Sequence, residues 1–579
     1  MHTTFGAATK RAWLWCKRCT RIGFLKLAFR KFRPEEKKIF FVAFGAFLIS
    51  TALLLVITYY QNTIAIPVAG GSYVEGIVGQ PTVINPVLGS RNDVDRDLIE
   101  LLFNGVFKSN GRGGFTPDLA RRHTVSDDGR AWTIYLRDDA FWHDGQQVTA
   151  DDVLFTIQTI QNPDAQSPLF TSWQGVVAER VSQLEIRLYL RNSYAPFEEN
   201  LKDLKIIPEH IFGSIPAANL RLSDYNLLRP VGSGPYQFEG LRKKEDGRIT
   251  MYLLKRNERY HLGSSFIEKM TFAFFENEDD LLDAFNKRAV DGFGSLNPKK
   301  LSELKLPHRL LQLTLPRYYA IFLNQHLLPA LADKEVRRAL QLATDKQSLI
   351  KLVFGGYGQP ANGPLLKGML GYDEAADQSE YNPGEAAEIL DKVGWLTEEN
   401  ETIRTKKDAK LELTLVVPDT PPLIEAADFL GRGWQRIGIG VSIIKSSVGE
   451  IMENFIKGRN YPMLLFGNVV NLNSDLFAFW HSSQKFDPGL NLSLFDNKEV
   501  DALLESSRQS LEKEKRIADL KSLQNIIQRE LPAIFLFSPD YLYVASNKLS
   551  GAEPMMIASP AERFSQIHRW SIKEARVFK

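Results

Sequence analysis

A chain of 579 residues is too long for one compact core, so we expect two or three subdomains. The composition, with 44% hydrophobic and 24% charged residues, is that of a globular protein and excludes a wholly disordered chain. The net charge of +2 divides into +9 for residues 1–38 and −7 for residues 61–579, and a mildly acidic body argues against a nucleic-acid partner.

An uncharged apolar run occupies residues 39–60, directly after the basic segment. Its 22 residues match the roughly 20 helical residues that a bilayer core requires, so we predict one transmembrane helix that anchors the chain in membrane lipid. The positive flank places residues 1–38 in the cytoplasm and the body after Tyr60 outside the cell membrane, extracellular or periplasmic. The alternative is a cleaved signal peptide with a weak site at residues 63–65, but the run exceeds the usual ~7–15 apolar residues.

The two cysteines, Cys16 and Cys19, lie in the basic segment, so the exported body has neither disulfides nor thiol chemistry. Their spacing supplies only half of a tetrahedral zinc site, and His2 is the one histidine near them. The nine histidines are scattered, and neither an HExxH nor a GxSxG pattern is present. We therefore expect no metal, no other cofactor and no catalytic residue.

The body alternates between strand and helix patterns after a short spacer at residues 61–70. Alternating apolar residues predict half-buried strands, in chain order, at 133–137, 185–190, 249–255 and 411–417. Helices are predicted where a capping residue precedes an apolar stripe, after Thr149, Asp333 and Asn382, and at 517–531. Such an alternation indicates α/β or α+β layering and not a repeat array.

Five short motifs, in a fixed order along the body, resemble the family-5 extracellular solute-binding proteins, the oligopeptide, dipeptide and nickel receptors of ABC importers. The motifs are Val83-Ile84-Asn85-Pro86, Pro117-Asp118-Leu119-Ala120, Phe141-Trp142-His143-Asp144-Gly145, Val231-Gly232-Ser233-Gly234-Pro235-Tyr236 and Val336-Arg337-Arg338-Ala339-Leu340. The third motif, which precedes a helix start at Thr149, is the most diagnostic. The resemblance extends over nearly the whole exported body.

This resemblance implies a bilobed α/β fold, periplasmic-binding-protein-like and of type II, with an extra inserted subdomain and one transmembrane helix before it. Lobe I would comprise 71–111, 230–317 and 535–579, the inserted subdomain 112–229, and lobe II 318–534. Two apolar crossings, at 318–324 and 531–537, would form the hinge on which the lobes close over a ligand.

In peptide-binding relatives, an acidic residue of the second lobe pairs with the free amino group of the peptide. The matching position here holds Val470, or Asn471 if the register slips by one, which favours a blocked peptide, an internal segment or a different solute. The ligand-binding residues that the resemblance implies are Tyr73, Glu75, Ile77, Tyr319, Phe322, Asn324, Gly467, Asn468, Asn471 and Trp480. Among them, the Glu75 carboxylate is a candidate partner for a ligand cation, although an exposed charge at a strand edge is the commoner explanation for such a residue.

The function that the resemblance implies is a membrane-tethered, monomeric receptor that captures peptides or peptide-like solutes for an ABC permease by lobe closure. One alternative keeps the fold but makes the protein a ligand-sensing receptor or a surface chaperone, which the uncleaved helix and the cytoplasmic segment favour. A surface hydrolase is the least favoured function, because no catalytic pattern is present.

Overall fold

The computed structural model describes residues 33–89, 92–374, 380–470 and 472–579. Predictions for residues 1–32, which include those for Cys16 and Cys19, therefore lie outside the described residues, as does the prediction for Asn471.

The chain forms two compact units, one containing residues up to Val68 together with 574–579, and the other containing 69–573. The first unit begins with the helix Pro34–Asn62, none of whose residues is buried. In the described part of the chain this is the one helix that is long and apolar enough to cross a membrane. Its span includes the predicted membrane segment.

The strand Thr63–Pro67 follows the helix at once and pairs antiparallel with the strand Glu574–Phe578. We call this pair the terminal ribbon. It gives a regular structure to the segment expected to be a spacer. Arg576 donates a hydrogen bond to the Thr63 hydroxyl at 2.9 Å, and its guanidinium lies 4.1 Å from the centre of the Tyr60 ring.

The second unit contains three main sheets in its described residues. The first sheet has seven strands, in the order His308–Leu313, Tyr541–Ser546, Gly292–Gly294, Ser72–Val78, Lys269–Phe275, Ile249–Arg256 and Tyr236–Lys243. The central strand Ser72–Val78 runs parallel to both of its neighbours, and the other pairs are antiparallel. We call the part of the unit built on this sheet the first lobe.

The second sheet has six strands, in the order Gly358–Pro360, Ala533–Pro539, Arg317–Leu323, Met463–Val469, Glu412–Pro418 and Gly440–Ser446. We call the part built on it the second lobe. The third sheet, which belongs to an inserted subdomain, has the order Ala120–Val125, Ala131–Leu136, Glu185–Tyr189 and Val177–Ser182. Two further pairs join Phe107–Ser109 to Phe115–Pro117 and Thr405–Lys406 to Ala409–Lys410.

Helices pack on these sheets through apolar faces. The longer ones are Asp93–Leu102, Ala150–Gln161, Phe197–Asp203, Glu278–Asn286, Lys334–Leu342, Lys346–Phe354, Pro383–Lys392, Pro421–Gln435, Lys498–Gln509 and Lys513–Glu530. Shorter helical turns are Phe170–Trp173, Glu209–Phe212, Pro329–Ala332, Val448–Glu450 and Phe477–Trp480. The predicted helix starts at Thr149, Asp333 and Asn382 are confirmed as N-caps.

Two chain segments lead from the first sheet to the second. The strand His308–Leu313 is followed by Arg317–Leu323, and Ala533–Pro539 is followed by Tyr541–Ser546. The strands Arg317–Leu323 and Ala533–Pro539 are neighbours in the second sheet and pair antiparallel. The two lobes are therefore joined by short connections at 314–316 and 540, whereas the predicted crossings, 318–324 and 531–537, lie largely in adjacent strands of the second sheet.

Candidate functional site

Three of the predicted ligand residues lie on the central strand of the first sheet. Tyr73 and Glu75 are fully buried, and Ile77 packs against the core of the first lobe. One Glu75 oxygen accepts a hydrogen bond from the Tyr543 hydroxyl at 2.7 Å, and the other accepts one from Arg563 at 2.9 Å. The carboxylate expected to meet a ligand cation is thus paired with a cation of the protein itself.

Arg563 completes a buried charge cluster in the first lobe. Its guanidinium also donates two hydrogen bonds to Asp97, at 2.7 and 2.5 Å, and the Tyr73 hydroxyl lies 2.8 Å from that of Tyr543. Burial raises the pKa of Glu75 to about 6, although the Arg563 charge pulls it down. Because every oxygen of the two carboxylates has a partner, this cluster holds the lobe together.

Tyr319, Phe322 and Asn324 belong to the first crossing between the lobes. Tyr319 lies opposite Gly467 on the neighbouring strand, where an added Cβ would come within 2.9 Å of the Tyr319 ring. Phe322 and Asn324 are buried, and the Asn324 amide donates to a backbone carbonyl at 2.9 Å. The glycine is therefore required by the close approach of the aromatic ring.

The other predicted residues of the second lobe are also buried. The Asn468 amide donates to the hydroxyl of Tyr318 at 3.0 Å. Trp480 is 1% exposed, and its ring centre lies 6.4 Å from that of Phe322 and 5.8 Å from that of Phe535. The structure thus distributes the nine described candidates among the interiors of the two lobes instead of collecting them in one place.

A cavity of about 790 Å³ lies between the two lobes. Residues of the first lobe and inserted subdomain line one wall, within 86–109, 168–169, 199–205 and 558–562, and residues within 469–508 line the other. The volume is in the range of about 300–1,000 Å³ that is typical of ligand pockets. None of the nine described candidates is among the lining residues, and the cavity is the better candidate site.

Val470, one of the two residues predicted to occupy the position of the relatives' acid, does line this cavity. It is 1% exposed, and its backbone N–H donates to the Pro316 carbonyl at 2.7 Å, next to the first crossing. A valine at this place supplies no charge, so a ligand amino group has no carboxylate to meet there.

Five basic and five acidic side chains line the cavity, and most of them pair with one another. Lys202 contacts Glu562 and Asp203, each at 2.7 Å, and Lys205 contacts Glu100 at 2.9 Å. These pairs neutralise much of the wall and fix the positions of its side chains.

Glu199 links the two lobes directly. Its carboxylate oxygens accept hydrogen bonds from the backbone N–H groups of Leu472, at 3.1 Å, and Asn473, at 3.3 Å. Burial raises the pKa of Glu199 to about 7; the Lys202 charge opposes this shift and the Asp203 charge adds to it. Burial therefore favours the protonated form of Glu199 more than in an exposed glutamate.

A second link joins the inserted subdomain to the second lobe. The Tyr194 hydroxyl donates to Asp475 at 2.8 Å, and Arg508 contacts the same carboxylate at 3.1 Å. The Arg508 guanidinium also lies 5.1 Å from the centre of the Tyr194 ring, and the Ala195 N–H donates to the Arg508 carbonyl at 2.7 Å. The lobes are thus in contact beside the cavity.

Sequence reasoning missed the residues that line and close this cavity. Glu199 stands in the short helix Phe197–Asp203, where acidic residues in the first turn are common for local reasons. Its hydrogen-bond partner Leu472 is 273 positions away, and no local pattern connects the two.

The comparisons with known proteins agree with this architecture. Residues 114–488 match the family described as bacterial extracellular solute-binding proteins, family 5 Middle. The chain is 25% identical over 499 residues to the oligopeptide-binding protein AppA of Bacillus subtilis (strain 168), an alignment covering 84% of this chain and 89% of that protein. It is 24% identical over 516 residues to the dipeptide-binding protein of Escherichia coli (strain K12), covering 84% and 93%.

Among solved structures, the ABC transporter substrate binding protein CtaP of Listeria monocytogenes has the same fold, with a TM-score of 0.73. The sequence identity is 23%, and the superposition covers 87% of this chain and 99% of that one. Because the family match extends over well more than half of the sequence, this protein belongs to the family-5 bacterial extracellular solute-binding proteins, which are receptors and not enzymes.

Proposed function

We propose that this protein is a membrane-tethered receptor, outside the cell or in the periplasm, that captures peptides or peptide-like solutes and delivers them to an ABC importer. The observation that carries the proposal is the cavity of about 790 Å³ with one wall on each lobe. A ligand in that position contacts both lobes at once, so its binding favours the closed arrangement.

Peptides are the proposed ligand class because the relatives named above are an oligopeptide-binding and a dipeptide-binding protein. The cavity wall combines apolar surface, from residues such as Pro86, Pro168 and Phe479, with charged side chains. Such a mixture suits a chain with both amide groups and apolar side chains.

The two adjacent crossings serve as the proposed hinge. They confine the flexing to the few residues between His308–Leu313 and Arg317–Leu323 and between Ala533–Pro539 and Tyr541–Ser546. A rotation there opens the contacts of Glu199 and Tyr194 and admits a ligand.

The helix Pro34–Asn62 is proposed to remain attached as a single-pass anchor in membrane lipid, with the receptor acting as a monomer. The weak cleavage site at 63–65 lies within the strand Thr63–Pro67, whose backbone pairs with Glu574–Phe578. The 22 uncharged residues at 39–60 exceed the roughly 7–15 apolar residues of a cleaved signal, which favours retention of the helix.

The proposed function is tested with the full-length protein purified in detergent. We expect mass spectrometry to detect co-purified peptides, or titration to show binding of peptides from broad pools of two to nine residues. Absence of binding across all pools would contradict the proposal. In membranes, cross-linking to an ABC permease is expected, whereas capture of another partner through residues 1–38 would favour the sensing alternative.

A cavity variant and a matched surface variant sharpen this test. Ala478 lines the cavity, so Ala478→Trp is expected to fill part of it and to weaken peptide binding at least about tenfold. Ala289 is exposed and distant from the lining residues, so Ala289→Trp is expected to bind like the wild type. Equal weakening by both substitutions would show that peptides bind elsewhere.

A further inference from the structure

One charged side chain of the cavity wall differs from the other nine. Nine of the ten lie within hydrogen-bond or ion-pair distance of another group of the protein, such as Arg508 with Asp475 or Lys205 with Glu100. Lys108 also lines the cavity, but no hydrogen bond or ion pair joins its ammonium group to any residue that the structure describes.

The surroundings of Lys108 make this lack of a partner costly. It lies on the strand Phe107–Ser109, whose other two residues are buried, and loss of water contact lowers the pKa of its ammonium group. The nearest opposing charges are those of Asp118 and Glu100, which raise that pKa without forming an ion pair with it. Lys108 is only partly buried, and a partly desolvated ammonium group without an ion-pair partner gains stability when an anion approaches.

Both of these carboxylates already have partners other than Lys108. Asp118 accepts hydrogen bonds from His261 at 2.9 Å and from Asn104 at 2.8 Å. Glu100 is occupied by Lys205 at 2.9 Å. An anion that pairs with the Lys108 ammonium group is therefore expected to come from a ligand in the cavity.

The carboxylates of the cavity wall differ from Lys108 in that each has a partner within the protein. All five are bonded to groups of the protein, and Val470, which also lines the cavity, carries no charge. A ligand amino group thus finds no unengaged carboxylate on the described wall, whereas a ligand anion finds an unengaged ammonium group.

We infer that Lys108 binds a carboxylate of the ligand, so that this receptor selects peptides or peptide-like solutes by an anionic group and not by a free amino group. The inference rests on the proposed function. The carboxylate is either the α-carboxylate at the end of a peptide or the side chain of an acidic residue, and both present the same two oxygens to the ammonium group.

The test uses the full-length protein in detergent and four pools of N-acetylated pentapeptides. Two pools have identical sequences without acidic residues and end in a free acid or in an amide. The other two end in an amide and contain either Glu or Gln at one position. Dissociation constants are measured for the wild type and for Lys108→Met, Lys108→Arg and Lys243→Met, the last being an exposed strand lysine without an ion pair.

We expect the wild type to prefer the free acid over the amide, or Glu over Gln, by about tenfold or more, as for a charge-assisted hydrogen bond. The first preference identifies the α-carboxylate and the second an acidic side chain. Lys108→Met should abolish the preference, whereas Lys108→Arg and Lys243→Met should retain it. The melting temperature of ligand-free Lys108→Met should not fall, since the substitution removes an unpaired charge.

Two results overturn the inference, and they differ in what else they exclude. Equal binding of matched pools by the wild type, or an unchanged preference in Lys108→Met, contradicts the role of Lys108 and leaves the peptide receptor intact. Failure of all four pools to bind, together with failure of the pools of two to nine residues, overturns the proposed peptide function and this inference with it.

Discussion

Arg563 lies where three segments of the first lobe meet. It bonds to Glu75 on the central strand and to Asp97 on the helix Asp93–Leu102, and the three side chains are at most 2% exposed. Buried charges are tolerated only when each finds its partners. This cluster therefore makes the centre of the lobe dependent on one arginine.

Arg563→Met is expected to lower the free energy of unfolding by about 3–5 kcal/mol, because Glu75 and Asp97 stay buried without their cation. Thermal and urea unfolding measure the loss. Arg242→Met, at an exposed position of the strand Tyr236–Lys243, is expected to change stability by less than about 0.5 kcal/mol. Similar stability of the two variants would mean that the buried cluster contributes nothing net.

Glu199 makes the free energy of unfolding depend on pH, and the direction of that dependence follows from its pKa. Its pKa rises from 4.5 to about 7 in the folded chain. The folded state therefore holds an additional proton between those values, and the stabilisation is fully present below pH 4.5 and is lost as pH rises through 7. The difference corresponds to about 3 kcal/mol at most.

Glu199→Gln keeps the side chain neutral, so its melting temperature relative to the wild type should increase from pH 5 to pH 8. Lys202 and Asp203, the charged neighbours of Glu199, are unchanged in this comparison. Glu198→Gln, in the same helix but more exposed, should show no such trend. A difference that is constant with pH would contradict the assignment to Glu199.

At the scale of elements, the segment 193–199 of the inserted subdomain is the main contact with the second lobe. Its backbone and side chains bond to residues of 472–475 and 508–509. These contacts are mainly hydrogen bonds, and each one alone is weak. Together they hold the two lobes in the closed arrangement, which ligand binding can stabilise further.

Tyr194→Phe removes one hydroxyl from this closure and leaves Asp475 paired with Arg508. The loss of a hydrogen bond to a charged group, about 1–3 kcal/mol, should speed peptide dissociation several-fold. Stopped-flow measurement of the dissociation rate tests this. Tyr189→Phe removes a similar bond to Glu179 within the third sheet and should leave the rate unaltered; equal acceleration in both would argue against a role in closure.

The elements themselves were predictable, because their signals are local. The alternation at 249–255 corresponds to the strand Ile249–Arg256, and that at 411–417 to Glu412–Pro418. Asn382 caps its helix through a bond to the Glu385 N–H, as the residue types predict. The strand Thr63–Pro67 was missed, since its partner lies more than 500 positions along the chain.

At the scale of the whole molecule, the fold followed from the order of motifs, whereas the lining of the cavity did not. The motifs are mostly turns and caps, which report the scaffold and carry no information about the cavity wall. Glu75 looks available in the sequence because Arg563 is 488 positions away. Nothing in the sequence distinguishes Lys108 from other lysines, because the lack of an ion-pair partner can be recognised only once the neighbouring side chains are known.

The terminal ribbon has a consequence for how the receptor could be shed. Residues 69–573 are attached to the unit that contains the helix Pro34–Asn62 by two peptide bonds, at Val68–Ala69 and at Lys573–Glu574. The terminal ribbon pairs Thr63–Pro67 with Glu574–Phe578, which lie on the far side of these two bonds. A single cut at either junction leaves the solute-binding part fastened through the other. With a protease site placed after Val68, the cleaved protein should leave vesicles at least about tenfold more slowly than the same protein lacking 574–579. Attachment at two points would thus keep residues 69–573 from being released when a protease cuts one of the two junctions.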